Sequence, residues 1–470
     1  MENKRVQKLV KNTSILTIGS FSSKIVVFFL VPFYTGILST EEYGLYDLSI
    51  TTIQLLMPIL TINIIDSILR FALDNNDIAS IRKVAFRYIC IGTIIFSLGA
   101  IICRLFDFFP KYNEFYLYIV LYFIAYTLNA YFLQVAKGCD RLKTIAVAGV
   151  IGTIVLCCAC IFLLKYTNLG LKGFYISNIL GQLSPLLVYL ISLRKIKTGW
   201  NSNFDPGLAT RMRKYSIPLI LTAIGWWVNS SSDKYVVTLM CGVAANGLLS
   251  ISYKIPNILS VLSGIFNQAW QISAIQEYKD DTKNDYYNKI VTTIMTGTIF
   301  FGMIIILLNR PLSRLLFAKD FYDAWKYVPF LIISSVFNVA SGLFAPILAA
   351  QYKTKPIAIS SFLGLASNIV LNFAFCYFWG VQGVTIATAF SSFLICMVRY
   401  YSAKAFFDPK TILIIVVSLG ITCGLAICEI FEVSYVIMGG LVLLNIVVTY
   451  KVLLSIVLKI IRTVRNRTGI

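Results

Sequence analysis

The sequence contains no histidine. Histidine is the commonest metal ligand and the side chain that most readily exchanges protons near neutral pH. Its absence excludes a Ser/His/Asp catalytic set, and no G-x-x-x-x-G-K-[ST] loop is present to bind nucleotide phosphates. Three of the eleven cysteines, Cys157, Cys158 and Cys160, lie inside an apolar run, where a role as small core residues is favoured over metal or redox chemistry. We therefore expect no cofactor, no metal and no ATP hydrolysis by this chain.

Charged residues and long polar segments are also scarce. Only 13% of the 470 residues are charged, whereas 58% are hydrophobic and the mean hydropathy is +0.79. A soluble protein of this size does not need so much apolar surface, so the composition predicts a polytopic membrane protein. The net charge of +20 does not indicate nucleic-acid binding, because no segment between the apolar runs is long enough for a soluble basic module.

Apolar segments of spanning length recur along the whole chain. They predict an all-α fold with about fourteen transmembrane helices, at residues 12–38, 44–69, 84–105, 115–136, 144–164, 173–193, 215–240, 245–270, 290–308, 327–350, 356–378, 381–402, 411–431 and 435–458. A cytoplasmic N-terminus would place most of the 41 basic residues in inner loops, as the positive-inside rule requires. We therefore expect both termini to be cytoplasmic.

The two halves of the chain share short matches that occur in the same order. Gly170-Leu-Lys-Gly173 matches Gly380-Val-Gln-Gly383, and Gly152 matches Gly364, at offsets of about 210 residues. An internal repeat of this kind predicts two six-helix lobes related by an axis along the membrane normal, with a substrate cavity between them. The predicted domains are an N-lobe at 1–200, a C-lobe at 201–405 and a C-terminal helix pair at 406–470.

A few charged residues fall inside the apolar segments, where a charge is costly unless it faces a cavity or a partner. They are Lys24 near the middle of the first span, Asp66 and Arg70 near the inner end of the second, Asp233 and Lys234 in the seventh, and Lys254 in the eighth. Cationic groups around one cavity suit an anionic head group such as a phosphate or pyrophosphate. Lys24 snorkelling to an interface is the alternative for that residue. An Asp66–Arg70 ion pair between neighbouring helical turns is the alternative for those two.

Several short motifs carry a resemblance to a known family. They are, in chain order, Asn12-Thr13, Ser23-Lys24, Pro32-Phe-Tyr34, Tyr43-Gly-Leu-Tyr-Asp47, Arg70-Phe71, Gly225 to Val237, Asn246 to Pro256, and Gln268-Ala-Trp270. With these motifs the chain resembles the bacterial O-antigen, capsule and exopolysaccharide repeat-unit flippases (Wzx-type). They belong to a superfamily that also includes multidrug extruders and the peptidoglycan-precursor flippase. The resemblance covers nearly the whole chain.

The resemblance implies a protein of the bacterial cytoplasmic (inner) membrane with a V-shaped, cationic central cavity. The implied cargo is undecaprenyl-pyrophosphate-linked oligosaccharide, flipped from the inner to the outer leaflet by alternating access for cell-surface polysaccharide biosynthesis. By matched position, the candidates for head-group binding or cavity gating are Lys24, Arg70, Asp233, Lys234 and Lys254. The implied partners are this lipid-linked sugar, the bilayer, and polysaccharide polymerase or export proteins.

The residues are also compatible with two other functions. A cation-coupled drug or metabolite antiporter of the same superfamily would need a coupling carboxylate in the N-lobe cavity, and Asp66 is the only good candidate. For the flippase, Asp66 and Asp233 are the candidates for a proton or sodium site that drives transport. A membrane polysaccharide polymerase or lipid-linked glycosyltransferase usually carries a large outer loop with catalytic residues, and this chain has no such loop. We therefore expect a transporter rather than an enzyme.

Overall fold

The computed structural model describes residues 26–74, 77–194, 204–278 and 282–468. Within these ranges every regular element is a helix, so the predicted all-α membrane fold is confirmed. The chain divides into two compact units, Met1–Ser232 and Asp233–Ile470. These two units are defined by contacts between residues, whereas the domains predicted at 1–200, 201–405 and 406–470 are defined by the internal sequence repeat. The predicted domains therefore stay a prediction.

Each unit is a set of apolar helices joined by short turns. The first unit contains α1 (Val31–Thr35), α2 (Thr40–Leu60), α3 (Ile64–Leu73), α4 (Ile78–Leu105), α5 (Tyr116–Gly138), α6 (Leu142–Tyr166), α7 (Gly170–Leu193) and most of α8 (Pro206–Cys241). The second contains the end of α8, then α9 (Val243–Ser252), α10 (Asn257–Glu277), α11 (Lys283–Leu307), α12 (Asn309–Leu316), α13 (Val328–Ala350), α14 (Thr354–Ala403), α15 (Pro409–Ile430) and α16 (Tyr435–Thr468).

Eight described helices have the length and hydropathy of a membrane span, namely α4, α5, α6, α7, α11, α13, α14 and α15. The number rises to ten when two bent helices are each taken as one span, α2 with α3 and the two parts of α10. The predicted spans after the first fall on described helices, with turns inside the second span at 61–63 and inside the eighth at 253–256. α8 and α16 do not meet the length and hydropathy test. The first predicted span, 12–38, is described only from residue 26.

The second predicted span is broken in the middle. α2 begins with a capping box, in which the Ser39 hydroxyl accepts from the Glu42 N–H at 3.2 Å and the Glu42 carboxylate accepts from the Ser39 N–H at 2.8 Å. The helix stops where Ile62 and Asn63 take left-handed backbone angles, and α3 leaves at a bend of 57°. The break gives Asp66 and Arg70 a short helix of their own rather than the end of a long one.

The core of the first unit gathers around α3, α4, α5 and α7. Its buried members include Ile68, Val84, Tyr131 and Tyr189, and the start of α8 adds Met212. In a bilayer these side chains stabilise the unit mainly through close van der Waals packing, because lipid tails are as apolar as the protein core. The packing of Met212 explains why most of α8 belongs to the first unit although the helix continues to Cys241.

Two helical hairpins, one in each unit, turn on matching glycines. Gly170 opens the second arm of the α6–α7 hairpin with φ of 51°, and Gly380 interrupts α14 with φ of 57°. Three residues later, Gly173 and Gly383 let the second arm approach the first, because an added Cβ would lie 3.4 Å from the Leu163 carbonyl oxygen or 2.0 Å from that of Phe375. The matched sequence therefore encodes the same turn twice.

The single long helix α14 is thus two antiparallel arms. Arg399 on the second arm donates from Nε to the Ser360 hydroxyl at 2.9 Å and from Nη2 to the Ser361 hydroxyl at 3.1 Å, both on the first arm. An added Cβ on Gly364 would lie 2.4 Å from the Ile395 side chain, which would have to move to admit a larger residue. The predicted spans 356–378 and 381–402 are these two arms.

A buried ion pair joins α15 to α12. The Glu429 side chain is fully buried, and its Oε1 lies 3.3 Å from Arg310 Nε and 3.2 Å from Asn309 Nδ2. Arg310 also donates from Nη2 to the Glu429 carbonyl at 3.2 Å, and its guanidinium lies over the Trp325 ring at 4.5 Å. The Trp325 ring and the Glu429 carboxylate together hold the Arg310 guanidinium. Arg310 thereby links α15 to α12 within the second unit.

Removal of Arg310 alone should therefore destabilise the protein more than removal of the whole pair. Arg310→Met leaves the Glu429 carboxylate buried without a cation, which costs about 3–5 kcal/mol. The double variant Arg310→Met/Glu429→Gln removes the orphaned charge and should recover most of that loss. Thermal unfolding of the purified protein in detergent checks the order of the melting temperatures. A double variant that melts no higher than Arg310→Met would contradict the pairing.

Candidate functional site

Two of the predicted site residues in the first unit, Asp66 and Arg70, lie at the surface. Lys24 lies outside the described residues. Arg70 and Asp66 are exposed, and the Arg70 ion pair is made with Asp74, at 2.6 Å between Nη1 and Oδ1, and not with Asp66. The Asp66 carboxylate instead accepts from Asn63 Nδ2 at 3.0 Å, because Asn63 precedes α3 and Asp66 occupies its first turn. The alternative of an Asp66–Arg70 ion pair is therefore wrong.

The predicted residues of the seventh and eighth spans do come together. The Asp233 carboxylate is buried near the end of α8 and accepts a hydrogen bond from the Tyr253 hydroxyl, which lies just after α9. Its other oxygen accepts from the backbone N–H of Lys234 at 2.9 Å. This contact brings the Asp233–Lys234 pair beside Tyr253 and its neighbour Lys254, so three predicted residues share one region of the second unit.

Polar side chains of the α14 hairpin extend this contact. Thr388 on the second arm lies close to the Tyr253 hydroxyl. The Thr388 hydroxyl donates to the Val384 carbonyl at 3.0 Å and accepts from Asn368 Nδ2 of the first arm at 3.4 Å. One turn further along, Asn372 Nδ2 donates to Asn368 Oδ1 at 3.0 Å. Asp233, Tyr253, Thr388, Asn368 and Asn372 form what we call the polar network. It joins the end of α8, the turn after α9 and both arms of the hairpin.

The polar network offers oxygen donors in an otherwise apolar setting. Asn368 and Asn372 are buried, and the Asn372 Oδ1 atom has no hydrogen-bond partner among the described residues. Val236, Val237 and Leu249 surround the region with apolar side chains. One carboxylate with hydroxyl and amide oxygens is suited to a proton or a small hard cation rather than to a soft metal. No group of three His, Cys, Asp or Glu side chains is present in the described ranges.

Lys254 directly follows Tyr253, a member of the polar network, in the chain. Its side chain is half-buried, and within the described parts of the chain it forms no ion pair with a carboxylate. An ammonium held at an apolar site without a counter-ion attracts anions strongly, because the effective dielectric constant there is low. Lys254 can therefore bind a phosphate oxygen without first breaking an internal ion pair.

Sequence reasoning found Asp233, Lys234 and Lys254 but missed the other members of the polar network. Asn368 and Asn372 are neutral, so a search for charges inside apolar spans does not select them. A usable signal was present, because the two asparagines are four residues apart and face the same side of one helix. Tyr253 gave no signal of its own, since aromatic residues make up 14% of the chain.

The comparisons with known proteins agree with this architecture. The family model described as "Polysaccharide biosynthesis protein" matches residues 9–271. A probable lipid II flippase MurJ of Vibrio cholerae serotype O1 is 24% identical over 223 residues, which make up 45% of this chain and 41% of that protein. The chain thus matches about two fifths of the length of this curated relative.

Solved structures show the same fold over most of the chain. The lipid II flippase MurJ in an inward closed conformation superposes with a TM-score of 0.65 at 17% identity, covering 94% of this chain and 99% of that one. An inward-facing multidrug resistance transporter of the MATE family, within the MOP superfamily, superposes with a TM-score of 0.60 at 13% identity, covering 85% and 94%. At these identities the likeness shows the fold alone.

The Tyr253–Asp233 hydrogen bond gives a stability test of the polar network. Tyr253→Phe removes the hydroxyl while keeping the ring, and it should cost about 1–3 kcal/mol because a buried carboxylate loses a donor. Asp233→Asn should remove most of the sensitivity to Tyr253→Phe, since an amide oxygen needs that donor less than a carboxylate does. A double-mutant cycle of thermal unfolding in detergent measures the coupling. Additive losses would show that the two side chains do not interact.

Proposed function

Because the chain belongs to the polysaccharide biosynthesis protein family, we propose that it is a Wzx-type flippase for undecaprenyl-pyrophosphate-linked oligosaccharide. One observation carries the proposal. The segment matched by the family, residues 9–271, contains the half-buried Lys254, a cation without a carboxylate partner in the described ranges. Lys254 directly follows Tyr253, whose hydroxyl donates to the buried Asp233. A lipid pyrophosphate is an anion that must enter an apolar environment, and Lys254 supplies the matching charge.

The charge and hydration of the proposed cargo determine what the protein must do to move it. A pyrophosphate and its sugars lose their hydration in hydrocarbon, so the head group cannot cross the bilayer unaided. A protein cavity that replaces this hydration with cations and hydrogen bonds removes the barrier, while the polyprenyl tail stays in the lipid. We assign Lys254, with Lys24, Arg70 and Lys234 as further candidates, to the head group. Alternating access between two conformations then exposes the cavity to one leaflet at a time.

A coupling cation is proposed at Asp233 rather than at Asp66. The Asp233 carboxylate is buried and sits in the polar network, whereas Asp66 is exposed at the start of α3. A buried carboxylate changes its hydrogen bonds when it is protonated or binds a cation, and here those bonds reach both arms of the α14 hairpin. Occupancy of Asp233 is thereby linked to the position of the hairpin.

The proposed location and partners follow from the same function. The protein would lie in the bacterial cytoplasmic membrane with both termini in the cytoplasm, because basic residues dominate the loops assigned to that side. It would deliver its cargo to a polymerase or to export proteins that act on the outer leaflet. A cation-coupled drug or metabolite antiporter, the second candidate, would use the same carboxylate with a different cargo.

Proteoliposomes carrying undecaprenyl-pyrophosphate oligosaccharide in one leaflet test the cargo directly. The protein should cause the sugar to appear on the other leaflet, and Lys254→Ala should lower the initial rate at least tenfold, since one cation less binds the pyrophosphate. Lys353→Ala, which removes an exposed lysine next to α14, is the matched control and should keep the rate. Failure of the wild-type protein to move any such oligosaccharide, with cation-driven drug efflux instead, would favour the antiporter.

A further inference from the structure

Two cysteines that the proposed function does not use lie against each other in the second unit. Cys241 is the last residue of α8, and Cys376 lies in the first arm of the α14 hairpin. Their sulfur atoms are 3.6 Å apart, although 135 residues separate them in the chain. Cys241 is exposed, whereas Cys376 is buried in the apolar cluster with Val237, Leu249 and Val384.

The hairpin turn places the two thiols beside each other. An added Cβ on Gly380, at the turn, would lie 3.9 Å from the Cys241 sulfur, so the end of α8 rests against this turn. A disulfide needs about 2.05 Å between sulfurs. The remaining gap of about 1.5 Å is within the reach of a side-chain rotation at the exposed Cys241.

The orientation of both helices places the pair outside the cytoplasm. α8 carries Arg211 and Arg213 in its first turns and ends at Cys241, while Arg399 and Lys404 mark the opposite end of the hairpin from its turn. The positive-inside rule puts the basic ends in the cytoplasm, so the cysteines lie at the outer face. Disulfides form and persist on that side of the membrane, whereas cytoplasmic thiols are kept reduced.

We propose that Cys241 and Cys376 form a redox modification site that closes a disulfide between α8 and the α14 hairpin. The co-reactant is a disulfide oxidant, either a dithiol oxidoreductase in its oxidised form or a small-molecule disulfide. The exposed Cys241 loses its proton and attacks the oxidant, which releases one thiol and leaves a mixed disulfide. Cys376 then displaces the second thiol. Two thiols have become one disulfide, and the two electrons and two protons have passed to the oxidant.

Closure of this disulfide would fix the two elements that the polar network connects. Asp233 precedes Cys241 by about two helical turns, and Asn372 precedes Cys376 by about one turn. A covalent link at these positions holds the end of α8 against the hairpin and limits movement of the hairpin relative to Asp233. As a statement about transport this rests on the proposed function, whereas the disulfide itself does not.

Thiol counting on the full-length protein in membranes tests the site. Membranes are treated with oxidised glutathione, free thiols are blocked with N-ethylmaleimide, and thiols released by a reductant are then counted by a gel shift with polyethylene-glycol maleimide. The wild-type protein should release two thiols, and mass spectrometry should identify the peptide pair that contains Cys241 and Cys376. Cys241→Ser should release none. Cys376→Ser should release one, the Cys241 thiol held as an unresolved mixed disulfide with glutathione, while Cys423→Ser should release two, as the wild type does.

The proposed Cys241–Cys376 disulfide would be contradicted if the wild type released no thiols, or if both serine variants released two. Serine is close in size to cysteine, and the melting temperature of each variant in detergent establishes that it is folded. Oxidation should raise the melting temperature of the wild type and leave both variants unchanged. In the flipping assay, oxidation should slow the wild type at least fivefold and spare Cys241→Ser. If the oxidised and reduced wild type flipped at equal rates, the disulfide would not limit movement of the hairpin during transport, even though it forms.

Discussion

A carboxylate buried in an apolar helix must find its hydrogen-bond partners inside the protein, because no water in the surroundings can replace them. Asp233 meets this requirement through the Lys234 backbone and the Tyr253 hydroxyl. Satisfying it holds the end of α8 against the turn after α9. Thr388 and Asn368 then join the two arms of the α14 hairpin beside this contact. The same constraint makes the site informative, since a chain retains so costly a group only where its charge is used or firmly held.

The hairpins show how the repeated sequence prepares this arrangement. Gly170 and Gly380 both take left-handed backbone angles, which a side chain would oppose, and each is followed three residues later by a glycine at a close approach of the arms. In the second unit this close packing aligns Asn368 on one arm with Thr388 on the other. The polar network therefore depends on turn glycines that make no contact with it.

The sequence predicted the fold more completely than the site. Apolar segments of spanning length identify helices because the thickness of a bilayer fixes their length. The predicted spans after the first fall on described helices, and only the second and eighth are interrupted by a turn. Asp233 and Lys254 stood out because charges are rare in such segments. Asn368 and Asn372 did not stand out, because neutral polar residues are common in apolar segments. Only the tertiary fold shows that these two asparagines contact each other and Thr388. Arg70 pairs with Asp74 rather than with Asp66, because an arginine has several acidic neighbours at helical spacing and the break at Asn63 decides between them.

The central claim is that Asp233 couples a cation to movement of the lipid-linked head group. It is tested most directly by the flipping rate in proteoliposomes under an imposed proton or sodium gradient, for the wild type, Asp233→Asn and the control Glu432→Gln, which changes a largely exposed carboxylate. The wild type and the control should accelerate when one of the gradients is applied, and Asp233→Asn should flip at a rate that no gradient changes. An Asp233→Asn variant that responds as the wild type does would contradict the claim.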